Sequence, residues 1–82
     1  MTEEYQERVS HIKSFMDGDG WFISHECQCG GIHRIEFVKG EMAGVVVKVY
    51  PGKKRFKSTR RGRKIWEDNI DNLETFVNGL VA

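Results

Sequence analysis

Residues 45–66 read VVVKVYPGKKRFKSTRRGRKIW, a pattern that three strands and two short turns explain. Val45, Val46, Val47 and Val49 form the most β-branched run in the chain, which favours a strand over Val45–Tyr50 because branched side chains pack well on a pleated surface. Pro51-Gly52 predicts a type II turn, with proline fixing φ at the second position and glycine accepting positive φ at the third. Lys54–Thr59 is then a further strand. Arg61-Gly62 turns the chain again, and Arg63–Trp66 is a short fifth strand. Alternation puts Phe56 and Ile65 on one face and Arg55, Lys57 and Thr59 on the other. Lys48 and Tyr50 alternate away from Val45, Val47 and Val49 and so share the second face, with Trp66 at its flank.

Working outward, Trp21–Cys27 and Ile32–Val38 read as two strands joined by Gln28-Cys29-Gly30-Gly31, whose glycines supply the positive φ of a tight hairpin. In the second of these, Ile32, Arg34, Glu36 and Val38 lie on one face and His33, Ile35 and Phe37 on the other. Before them, Tyr5, Val9, Ile12 and Met16 follow a 3.6-residue period, widened by Phe15, and predict a helix over residues 3–16. Thr2 can cap it, Glu3 and Glu4 suit its positive end, and Gly18 and Gly20 end it. Ile70, Leu73, Val77 and Leu80, with Phe76 beside them, predict a last helix capped by Asp68 or Asn69. The expected fold is α+β: an N-terminal helix, an antiparallel sheet of four to five strands and a C-terminal helix, with both helices on one sheet face. One domain over residues 1–82 is expected.

A chain of 82 residues buries a smaller share of its surface than a longer one. Little is left to line a deep, dry pocket, so the expectation is a binding module and not an enzyme. No apolar run approaches the roughly 20 residues of a membrane span. The start, Met1-Thr2-Glu3-Glu4, is acidic and unlike a signal peptide, so a cytoplasmic location is expected.

The net charge of +1 hides a strong asymmetry. Residues 48–64 hold nine of the thirteen Lys and Arg and none of the twelve Asp and Glu. Like charges this close repel, and an anionic partner would relieve them. Lys48, Lys53, Lys54, Arg55, Lys57, Arg60, Arg61, Arg63 and Lys64 are therefore expected to meet phosphates, with Tyr50 and Trp66 stacking on exposed bases. That reading is a small nucleic-acid-binding module, DNA or RNA, suited to a regulator. A basic hairpin docking on an acidic protein surface, as an interaction or inhibitor module, is the alternative. A solvated hairpin that protects a sheet edge is the plain one. Glu67, Asp68, Asp71 and Glu74 read as a helix start, or as the acidic half of a homodimer contact.

His25, Cys27, Cys29 and His33 offer four soft ligands within nine residues, a set that zinc accepts. The one-residue gap between the cysteines is cramped beside the usual two to four, so zinc, as the basis of a small metal-stabilised domain, is the lesser expectation. A bond between Cys27 and Cys29 would close a very small ring, which favours reduced thiols. No third group joins them for nucleophilic catalysis.

Overall fold

Five strands run up and down in chain order between two helices in this computed structural model, which describes residues 3–80. The elements are α1 (Glu3–Gly18), β1 (Phe22–Cys29), β2 (Ile32–Val38), β3 (Val45–Tyr50), β4 (Arg55–Arg60), β5 (Arg63–Asn69) and α2 (Leu73–Gly79). Short 3-10 turns, Pro51–Lys53 and Ile70–Asn72, precede β4 and α2. Every neighbouring strand pair is antiparallel, so β1 and β5 are the two edges. The α+β arrangement is the one that the hydrophobic periods imply. No helix among the described residues is long and apolar enough to cross a membrane.

The inward faces of the three central strands supply half of the buried apolar core. Ile35, Phe37, Val45, Val47, Val49 and Phe56 are buried there against Ile12 and Met16 of α1 and Leu73 and Val77 of α2. Full burial of a side chain such as Phe56 stabilises the fold by about 1.5–3 kcal/mol. Phe56 also meets Phe76 of α2, with ring centroids 5.3 Å apart. Trp21 seals the α1–β1 junction: its ring is buried and its Nε1 donates to Asp19 Oδ2 at 3.0 Å. Ahead of α2 the Asn69 side chain accepts the Asp71 backbone N–H, so Asn69 caps the 3-10 turn that leads into the helix. The Thr2 cap proposed for α1 lies outside the described residues.

Three local expectations change. The left-handed residue of the β3–β4 link is Lys54 (φ 55°), not Gly52, because Pro51–Lys53 winds into a 3-10 turn closed by Lys54 N–H to Pro51 O. β5 runs on to Asn69 and carries a bulge: Ser58 pairs with Trp66 and Thr59 with Lys64, leaving Ile65 as the extra residue. Ile65, expected to point inward, is therefore exposed. The same bulge turns Trp66 to the helix side, where it stacks on Phe76 at 6.2 Å with ring planes 11° apart. Thr59 keeps its place in the alternation but is buried.

Candidate nucleic-acid interface

The cross-strand register shows what the sheet presents on the face that neither helix covers. One row across it reads Glu36, Lys48, Lys57 and Glu67. A second contains Tyr50, Arg55 and Asn69, with Arg34 beside Tyr50 on β2. A third reads Val38, Val46, Thr59 and Lys64. Among the described residues, Arg34, Lys48, Arg55, Lys57 and Lys64 thus share this face with only two side-chain carboxylates, Glu36 and Glu67. Most acids lie elsewhere, on α1, on α2 and in the loops.

Lys48 and Lys57 are direct cross-strand partners, a like-charge pairing that destabilises a sheet. Glu36 and Glu67 flank that pair but are engaged with other cations. Lys64 Nζ lies 3.1 Å from Glu67 Oε1, and this hydrogen bond, helped by the field of Arg55 and Lys57, holds the Glu67 carboxyl below the usual glutamate value. Arg34 Nε lies 3.0 Å from Glu36 Oε2, close enough for an ion pair but not aligned as a hydrogen bond, so that buried N–H has no acceptor. Among the described residues, Lys64 alone of the nine cations in 48–64 forms an ion pair with the protein's own carboxylates.

The remaining predicted contacts are distributed and do not gather on one projection. Arg60 pairs with Val45 and with Arg63, which puts both arginines on the helix side at one end of the sheet. Arg61 forms the turn between them at φ 52°, and its backbone N–H donates to Gly44 O at 2.8 Å. Lys53 and Lys54 lie at the other end of β4, about 17–20 Å away at strand rise. Trp66 faces α2 and cannot stack beside Tyr50. The bulge is the physical reason, since one extra residue reverses the alternation beyond it.

The four proposed metal ligands also separate. His25, Cys27 and Cys29 align with Glu36, Arg34 and Ile32 on the uncovered face, whereas His33 points to the helices and is buried. Among the described residues no group of three or more His, Cys, Asp or Glu is placed to hold a metal. Cys27 and Cys29 form a disulfide, against the expectation of reduced thiols: their Cα atoms are 5.7 Å apart, within the ordinary span of such bonds.

Inward-facing His33 joins an arrangement that the sequence did not announce. Its Nδ1 is hydrogen-bonded to the Tyr5 hydroxyl, and its Nε2 lies 2.7 Å from Glu26 Oε2. Lys13 Nζ meets the other Glu26 oxygen at 3.0 Å. Because a carboxylate only accepts, the Nε2–H of His33 donates to Glu26. The hydrogen bond from His33, supported by Lys13 and opposed by partial burial, holds the Glu26 carboxyl below its ordinary value. These groups line a groove of about 560 Å³ between α1 and the β1 edge and fasten the first turns of the helix to the sheet. His33 alternating with Ile35 and Phe37 was the available signal, but nothing in the spacing pointed to Tyr5 or Glu26 as partners. Comparison with family models, with curated proteins and with solved structures gives no match, so the site is read from its own geometry.

Proposed function

We propose that the protein binds nucleic acid through the uncovered face of its sheet. The observation that carries this reading is the surplus of cations there, five against two carboxylates, with Lys48 and Lys57 side by side and in no ion pair. Half-buried Tyr50 supplies an aromatic surface among these cations, the combination on which single strands stack while their phosphates are neutralised. No charged helix enters a groove, so contacts to the backbone dominate and sequence selectivity is weak.

Fluorescence polarisation with labelled single-stranded RNA, single-stranded DNA and duplex DNA at low and moderate salt tests the proposal. Binding that falls on the order of several-hundred-fold between 50 and 200 mM salt is expected for about four to six phosphate contacts. Lys48→Glu with Lys57→Glu should abolish it. Absence of binding at low salt, or full affinity in the double variant, overturns it.

A docking module for an acidic protein surface is the second reading, favoured by exposed Ile65 and Trp66 on edge strand β5 beside the arginine turn. Apolar anchors with a polar rim suit a protein partner. Reversing Arg60, Arg61 and Arg63 to Glu would then lose one discrete partner in a pull-down while leaving nucleic-acid affinity largely intact.

A further inference from the structure

We infer that Cys27 and Cys29 are a reversible redox pair whose reaction partners are low-molecular-weight monothiols of the glutathione type. The bond sits at the end of edge strand β1, with Cys29 exposed and Cys27 half-buried. It encloses one residue, Gln28, so it removes little freedom from the unfolded chain and contributes little to the fold. It also ties no two elements together. The β1–β2 ladder already pairs Cys27 with Arg34 and Cys29 with Ile32, and the Gly30-Gly31 turn closes the hairpin without sulfur. A bond with so small a structural role, open to solvent, is of the labile kind and not the protected kind.

The surroundings also favour exchange. Arg34, the cross-strand partner of Cys27 on the same face, brings a cation to within side-chain reach of that sulfur. A neighbouring cation stabilises a thiolate and so makes Cys27 the better leaving group, although Arg34 also meets Glu36. In the first step the incoming thiolate attacks Sγ of Cys29, the Cys27–Cys29 bond breaks and Cys27 leaves as a thiolate that takes a proton from water. In the second, another monothiol, as its thiolate, attacks the sulfur of the mixed disulfide that came from the first. That releases the oxidised small-molecule disulfide and frees Cys29 as a thiolate, which is protonated in turn. The protein pair gains two electrons and two protons, and two monothiols are oxidised to one disulfide.

The test is equilibration of the full chain in buffers of varied reduced-to-oxidised glutathione ratio, with acid quenching, alkylation and intact mass, while circular dichroism follows the fold. The expected result is a reversible change from zero to two alkylated cysteines across those buffers, with the spectrum unchanged. Reduction only after unfolding by denaturant overturns the proposal, and so do two thiols that stay unpaired in oxidised glutathione. The position of the first mixed disulfide tests the direction of attack. When the wild-type chain is partly reduced by glutathione and acid-quenched, peptide mapping should find glutathione on Cys29, the exposed sulfur. Glutathione on Cys27, or on both alike, overturns the assignment of Cys29 as the attacked atom. Arg34→Gln should slow reduction of the wild-type pair several-fold, and an unchanged rate removes the arginine from the mechanism.

Discussion

Hairpins β1–β2 and β4–β5 stand at opposite edges of one sheet, and each reverses through two residues of positive φ, Gly30 and Gly31 in the first and Arg61 and Gly62 in the second. Each outer strand also holds one residue that the inner strand does not match, Ser24 in β1 and Ile65 in β5. The chemistry they carry differs. The first presents sulfur and imidazole, and the second presents cations. Glycine at both turn positions leaves the first hairpin without backbone strain, whereas arginine at the first position of the second costs about 1–2 kcal/mol. Turn geometry alone does not call for that arginine, and its charge is the property that distinguishes it from glycine.

The largest effect expected is in the anchoring of the two hairpins. Phe37→Ala and Phe56→Ala should each cost about 3–5 kcal/mol in urea unfolding, while Ile65→Ala at the bulge should stay within about 0.5 kcal/mol. An Ile65 variant as costly as Phe56→Ala would mean that the bulge, and with it the difference in what the two edges present, is misplaced.

Next come the two faces of the first hairpin. His33→Leu should cost about 1–3 kcal/mol, because it removes a buried group bonded to both Tyr5 and Glu26. Joint replacement of Cys27 and Cys29 by serine, on the other face, should shift the urea midpoint less. Equal shifts would show that the disulfide carries as much of the fold as the histidine.

The turns themselves give a smaller contrast of opposite sign. Gly30→Ala should destabilise by about 1–2 kcal/mol and Arg61→Gly should stabilise by up to about 1 kcal/mol, both read from thermal or urea midpoints. The same sign in both would break the equivalence of the two turns.

The smallest effect is in pH. The Glu26 carboxyl has its folded value depressed, so its contribution is present above the unfolded glutamate value and is lost as pH falls through the folded one. Stability should therefore decline below about pH 4.3, and His33→Leu should flatten that decline in unfolding followed by fluorescence.

The fold was legible wherever a hydrophobic period ran unbroken. The Ile12/Met16 and Leu73/Val77 stripes, the valine run of β3 and the inward Ile35 and Phe37 all lie where their spacing puts them. The candidate site was legible in part: Lys48, Tyr50, Arg55, Lys57 and Lys64 share the uncovered face, while Arg60, Arg63 and Trp66 do not. Bulges hide from pattern reading because Ile65 and Trp66 are both apolar, and either could serve as the inward residue. The β3–β4 link misled for a similar reason, since Pro-Gly is the common turn pair and a lysine at positive φ is not. The disulfide and the Tyr5–His33–Glu26 contacts depend on how close side chains come after folding, which residue spacing does not encode.

The hydrogen bond from Arg61 N–H to Gly44 O pins the arginine turn to the loop before β3. Gly44 itself is hemmed in: at φ 83°, an added Cβ would lie 3.1 Å from Arg61 Cγ. The guanidinium groups at that corner accordingly extend from a backbone that is already fixed. Any partner that reaches them gives up little chain entropy on docking, and contacts there can contribute to affinity without first ordering a loop.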